Sequence, residues 1–341
     1  MTQLLQAGSS AWLVGDVGGT NARFALCGPR QLHEPRVLAC AEHASLQHAL
    51  RSFLRDSGAR VRHAAIGIAN PVHGDRVRMT NHHWEFSIEA ARRELGLDTL
   101  LLINDFAALA MSLPHLPRHE LQRIGGGRPA PGAACAVVGP GTGLGVAGLL
   151  PLPDGAWHVA AGEGGHVAFR ARDDEDMQLL HFARARHGPH VSTERLLSGP
   201  GLELIHDWLC ERAGLRRARR TAAQISEVGL RTWRAGEAAH AQQASALCLQ
   251  SLQRFCALLG GFAADVALTL DARGGLYIGG GIVPRLGDFV EQSLLRERFE
   301  DKGRFSSLLA GVPIYVIHSR HPALLGAAAA LQQHMERVHH A

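Results

Sequence analysis

The stretch Leu13–Leu26, LVGDVGGTNARFAL, decides how the rest of this chain is read. Two apolar runs flank a glycine turn, which is the signature of two strands joined in a tight hairpin. The glycines at 15, 18 and 19 let backbone approach a phosphate closely and aim N–H donors at its oxygens, and Thr20 and Asn21 add side-chain donors. A lysine of the kind that completes a P-loop is absent. Asp16 does not bind phosphate itself, but a carboxylate beside such a turn holds Mg²⁺ through water, so a metal replaces the missing cation.

One such turn is equally explained by chain reversal alone. The stretch Val138–Leu150, VGPGTGLGVAGLL, superposes on Val14–Leu26, glycine turn on glycine turn, and makes chain reversal the weaker account. Gly139, Gly141, Thr142 and Gly143 thereby join the phosphate candidates. The repeat predicts an α/β protein of two domains with related topology, each a mixed sheet with flanking helices. The Gly/Pro segment Gly125–Gly132 lies between the halves. We expect a smaller domain of residues 1–115 plus 318–341 and a larger one of 116–317.

The remaining pattern agrees. After about ten residues expected to be unstructured come three strands, then Leu46, Leu50, Phe53 and Leu54 at helical spacing behind Ser45 as N-cap. HAAIGIAN and TLLLIN read as strands, and DFAALAMSLP as a helix that Pro114 ends. Helices are expected at 173–187, 201–213, 222–235 and 237–265, after Pro284, and from Pro322, the last packing back on the first domain. The Gly143–Gly148 segment GLGVAG also satisfies G-x-G-x-x-G, with Glu163 downstream. That fingerprint needs a helix after the glycines, whereas Pro151, Pro153, Asp154 and Gly155 predict a second hairpin.

Composition narrows the function classes. The 341 residues suffice for two cores, and 46% hydrophobic with 19% charged residues excludes a disordered or fibrous chain. The net charge of +4 is spread over the sequence except at Arg216–Arg220, RRARR, which reads as a solvated loop, so no nucleic-acid partner is expected. Lys302 is the only lysine, which leaves no place for P-loop or Schiff-base chemistry. Six cysteines without a CxxC pair read as reduced core residues of a cytoplasmic protein. An uninterrupted apolar run near the ~20 residues that span a bilayer is absent, and no membrane partner is expected.

Further polar groups stand where ligands would meet them. Asn104 and Asp105 fall where a strand meets a helix. A helix-start acid is the ordinary reading, but at the carboxyl end of parallel strands Asp105 can accept a proton from a substrate hydroxyl while Asn104 orients the same substrate. Glu163 and His166 lie among glycines in GEGGHVAF, a setting suited to a hydrogen-bonded ligand, and Glu194 precedes an apolar run as either a helix-start charge or a ligand. An Asn, an Asp, two Glu and a His suit a polyol such as a sugar. Gly279, Gly280 and Gly281 leave room for a flat ring such as adenine. The acidic tract 173–176 is read as a helix N-terminus without chemistry.

Nine blocks in order, LVGDVGGTNARFAL, MTNHHWEFS, LINDFAA, GPGTGLGVA, GEGGHVAF, ERLLSGPGLE, GGLYIGGGIVPRL, FEDKGRF and HPALLGAAA, closely resemble the bacterial ATP-dependent glucokinases. Those belong to the superfamily of actin, sugar kinases and heat-shock ATPases, and the match runs essentially end to end. The resemblance implies an actin-like, ribonuclease H-like fold with a cleft between the domains. It implies Asp105 as catalytic base, Asn104, Asp105, Glu163, His166 and Glu194 on D-glucose, both glycine hairpins on the ATP phosphates, and Gly279 to Gly281 beside the adenosine. Mg²⁺, a homodimer and transfer to the sugar 6-hydroxyl at the first step of glycolysis follow as expectations. A related group carries a zinc-binding cysteine cluster after the sugar-contacting histidine; VAFRARDDEDM has no cysteine there, so no structural zinc is expected. A sugar-sensing regulator would need a DNA-binding segment, for which little chain precedes the first strand. A kinase of another hexose or of an acylated amino sugar stays open, because motifs do not resolve stereochemistry.

Overall fold

The computed structural model describes residues 11–28, 32–79, 82–215, 219–236 and 242–340. The first ten residues, residues 216–218 of the basic cluster and the expected helix start at 237 lie outside the described residues. The chain divides into two compact units: residues 1–120, 151–161 and 319–341, and residues 121–150 and 162–318.

The first unit opens with β1 (Trp12–Val17), β2 (Asn21–Cys27) and β3 (Arg36–Ala39). There follow α1 (Leu46–Ser57), β4 (His63–Ile68), a small ribbon of β5 (Arg76–Arg78) and β6 (Glu85–Ser87), α2 (Ile88–Glu94), β7 (Thr99–Asn104) and α3 (Asp105–Ser112). The sheet runs β3-β2-β1-β4-β7, with β1, β4 and β7 parallel. Side chains alternate across it. Leu13, Val17, Phe24 and Ile66 meet Leu46, Leu50 and Phe53 of α1, while Trp12, Val14 and Ala65 form the opposite cluster with residues of the last helix. α1 begins as its sequence predicts: Ser45 accepts the His48 N–H, and Gly58 closes the helix at φ 65°.

The second unit contains β8 (Leu121–Ile124), β9 (Cys135–Pro140) and β10 (Leu144–Pro151). Most of β11 (Trp157–Gly162) groups with the first unit, in which the Trp157 N–H donates to Gln333 Oε1 and its carbonyl accepts from Gln333 Nε2, both at 2.8 Å. The chain continues through α4 (Asp174–His187), α5 (Gly199–Arg212), α6 (Ala222–Arg234), α7 (Gln243–Thr269) and β12 (Gly275–Ile278). It then passes α8 (Phe289–Gln292), α9 (Leu295–Glu300), α10 (Ser306–Gly311) and β13 (Ile314–Ile317). The strands lie in the order β10-β9-β12-β13-β8, with β9, β12 and β13 parallel. Finally α11 (Pro322–His340) returns to the first unit and crosses α3 so closely that Gly326 faces the Ala108 carbonyl with no room for a side chain.

Three expectations need correction. The helix expected after Pro284 begins only at Phe289: a single 3-10 turn, Val283–Leu286, comes first and ends at Gly287 with φ 56°, a conformation that breaks helical propagation. α5 starts at Gly199, earlier than expected, because Ser198 caps it and Pro200 is tolerated in the first turn. The third is the end of α7, at Thr269 rather than 265. By length and composition α7 is apolar enough to cross a membrane. It is nonetheless a core helix, burying Leu252, Phe255, Leu259 and Ala263 against its own unit. The second hairpin is borne out: the GLGVAG segment does not open a dinucleotide-binding helix, since Leu144–Pro151 is strand and Gly155 turns the chain at φ 81°. The acidic tract caps α4 through Asp173, and Asp176 is held by Arg254 and Arg298 at 3.0 and 3.3 Å.

Candidate active site

In the first unit, parallel pairing places Val17 beside Ile68 and Ile68 beside Asn104, so the carboxyl ends of β1, β4 and β7 share one edge. That edge is where ligands bind in open α/β sheets. Asn104, not Asp105, is the N-cap of α3: its Oδ1 accepts the N–H groups of Phe106 and Ala107, and its Nδ2 donates to the Asn70 carbonyl at 3.4 Å. Asp105 occupies the first helical position, with Oδ1 accepting the Phe106 N–H at 2.9 Å. Gly67 lets α3 pack down on this corner, since a Cβ there would press on the Ala108 Cβ at 3.2 Å.

The hairpin turn is held by its own backbone, with the Gly18 N–H donating to the Asn21 carbonyl and the Cys40 N–H to that of Thr20. Asp16 lies on the Trp12–Val14 face of β1 and pairs with Arg23 Nη1 at 3.3 Å, the residue opposite it in the hairpin. Burial pushes the Asp16 carboxyl above the usual carboxylate range, against the opposing pull of Arg23 and of His321 at the head of α11. The Asp16 side chain keeps 25% of its surface exposed, enough for a hydrated ion to reach it. A half-buried, incompletely neutralised carboxylate suits a hard divalent cation.

In the second unit, the turn Gly141–Gly143 joins β9 to β10, with Leu144 opposite Pro140 and the Gly141 N–H bonded to the Gly143 carbonyl at 2.8 Å. The Gly199 N–H donates to the Gly141 carbonyl at 2.8 Å, so the N-terminal end of the 14-residue helix α5 abuts this turn. Backbone donors and a helix dipole together favour phosphate. Gly280, at φ 76°, packs on the Pro140 carbonyl, while Gly281 opens into free space.

Glu194 Oε2 accepts the Leu144 N–H at 2.9 Å, and a Cβ on Gly143 would intrude on that same oxygen. Gly164 and Gly165 rest on Val146 and Leu144, respectively. Their lack of side chains therefore serves packing; Glu163 and His166 themselves are exposed, with Glu163 Oε2 and His166 Nε2 3.9 Å apart.

The structure thus brings Asp16, Asn104 and Asp105 toward one edge of the first unit, whereas Gly15 sits within the sheet, where a Cβ would press on the Ile66 and Phe24 side chains at 2.7 and 2.8 Å. In the second unit it gathers the 139–143 turn, Gly279 to Gly281, Glu163, His166 and Glu194 around Pro140 and Leu144. Sequence reasoning missed Arg23, His321, Asn70 and the start of α5. The last was legible in SGPG, a capping serine with proline in the first turn; the others became neighbours only through strand pairing and chain return.

An acid at a sheet edge and two matched glycine turns stand on an actin-like ATPase fold, shared with solved sugar kinases. The family model described as Glucokinase matches residues 13–334. A glucokinase of Chromobacterium violaceum is 54% identical over 329 residues, covering 95% of this chain and 91% of its own. The crystal structure of a glucokinase from an Antarctic psychrotroph superposes with a TM-score of 0.85 at 34% identity, covering 95% of this chain and 99% of that one. A ROK family glucokinase from Streptomyces griseus, in complex with glucose and AMPPNP, shares the fold at a TM-score of 0.62 and 17% identity, covering 95% and 99%. The chain belongs to the glucokinase family.

Proposed function

We propose that this protein transfers the γ-phosphoryl group of ATP to the 6-hydroxyl of D-glucose, with Asp105 as the base. The observation that carries the reading is Asp105 at the head of α3, on the sheet edge that also presents the Asp16 hairpin, in a chain of the glucokinase family. The Asp105 carboxylate accepts the hydroxyl proton, the sugar oxygen bonds to the γ-phosphorus, and the β–γ bridging bond breaks to release ADP. Asn104, Glu163, His166 and Glu194 hold sugar hydroxyls. Gly15, Gly18, Gly19, Thr20 and Asn21 of one hairpin and Gly139, Gly141, Thr142 and Gly143 of the other bind the phosphates, while Gly279 to Gly281 border the adenosine. Asp16 would hold Mg²⁺ through water, and the ion supplies charge neutralisation for the phosphates. Reduced cysteines support a cytoplasmic setting; a place at the first step of glycolysis and a homodimer are family-based expectations.

ADP release with Mg-ATP and a panel of glucose, mannose, fructose, N-acetylglucosamine or no sugar tests the reading. Glucose should stimulate most, and Asp105→Ala should lower kcat at least ~10²-fold while sugar binding persists. Near-normal turnover of that variant sinks the assignment of the base. Preference for another sugar changes the substrate, and no stimulation by any sugar favours a non-catalytic sensor.

A further inference from the structure

Leu144 is touched from both sides by groups assigned to sugar. Its N–H is held by Glu194 Oε2 at 2.9 Å, and its carbonyl lies against Gly165, between Glu163 and His166. Leu144 is also the first residue of β10 after the phosphate turn, opposite Pro140. Glu194 is well anchored for this task. It lies in the 3-10 turn Thr193–Arg195, whose Thr193 donates both its N–H and its Oγ1–H to the Val167 carbonyl, directly after His166. Glu194 Oε1 takes no hydrogen bond from the described residues, which leaves one carboxylate oxygen for a sugar hydroxyl and one for the hairpin.

Resting on the kinase reading above, we propose that Glu194 is a positioning residue that couples sugar binding to nucleotide binding through the Leu144 N–H. A hydroxyl donated to Oε1 fixes the side-chain torsions and with them the position of Oε2. The Gly141–Gly143 turn is then ordered before the phosphates arrive, and the nucleotide no longer bears that ordering cost. Freezing one glutamate side chain corresponds to about a tenfold gain in affinity. Linkage makes the effect reciprocal, so nucleotide tightens sugar by the same factor.

Titration calorimetry of the full chain with AMPPNP, without glucose and with saturating glucose, tests this. Wild type should bind AMPPNP about tenfold more tightly with glucose. Glu194→Gln keeps a carbonyl for the Leu144 N–H but presents an amide donor to the hydroxyl. It should bind AMPPNP like wild type without sugar and gain less than about twofold with it. Glu194→Ala should bind AMPPNP more weakly without sugar and also lose the gain. In steady-state assays at saturating glucose the Gln variant should raise KM for ATP more than it lowers kcat. A tenfold sugar effect retained in both variants at saturating glucose overturns the proposal, as does its absence in wild type. Failure of wild type to bind sugar or nucleotide at all instead refutes the kinase reading on which it rests.

Discussion

Gly165→Ala isolates the contact between the sugar loop and the phosphate hairpin. A Cβ built on Gly165 runs into the Leu144 carbonyl oxygen and falls 3.0 Å from both the carbonyl carbon and the Cβ of that residue. Carbon atoms in contact prefer about 3.5–4.0 Å, so the loop must retreat by roughly 1 Å. It retreats as a unit, since the His166 N–H is bonded to the Glu163 carbonyl at 2.9 Å and carries both side chains with it. Misplacing a substrate-holding group by ~1 Å costs on the order of 10² in rate, so kcat/KM for glucose should fall by about that factor. Overpacking should add about 1–3 kcal/mol of destabilisation, which leaves a folded enzyme to assay. The control is Gly162→Ala, whose Cβ would meet nothing within 4 Å. Coupled ADP-release kinetics and thermal melts of both variants decide the matter. A Gly165→Ala enzyme within about threefold of the Gly162→Ala enzyme refutes the reasoning, because a misplacement of that size costs far more.

Asp16→Asn should separate stability from activity. Burial raises the Asp16 pKa above its ordinary 3.8, so the folded state holds this proton more tightly than the unfolded chain. The contribution of this one group to stability is therefore complete below the unfolded value and is lost as pH rises through the raised folded one. The Asn variant should melt at a higher temperature than wild type near neutral pH, with the difference vanishing at about pH 3, below the unfolded value. Its activity should no longer respond steeply to Mg²⁺ concentration, and a lower melting point at neutral pH contradicts the burial argument. Gly326→Ala should open the α3–α11 crossing, because its Cβ would overlap the Ala108 carbonyl oxygen and stand 2.6 Å from the carbonyl carbon. Urea unfolding should report a loss of at least ~3 kcal/mol, and a loss under ~1 kcal/mol would show that the helices separate freely.

Local order in this chain was legible because local rules govern it. Ser45 and Gly58 delimit α1, alternation defines β1 and β2, and the matched glycine turns announce two related halves. Helix boundaries were less legible where caps and glycines compete, as at Gly287, or where core packing extends a helix, as in α7. The sequence offers Asp105 as the helix-start acid, whereas the capping bonds fall to Asn104 and leave Asp105 one residue into the helix.

By itself the sequence determined which residue types were available: a carboxylate after a strand, glycine turns without lysine, acids and a histidine among glycines. Periodicity and turn chemistry depend on neighbours a few residues apart, and those neighbours are written in order. Only the tertiary structure decided that Arg23 and His321 share the surroundings of Asp16, that α5 starts against the Gly141 turn, and that Glu194 holds Leu144 across 50 positions of sequence. Such contacts arise from strand register and from where a returning helix packs, and both are set by burial summed over a whole unit, which no short segment records.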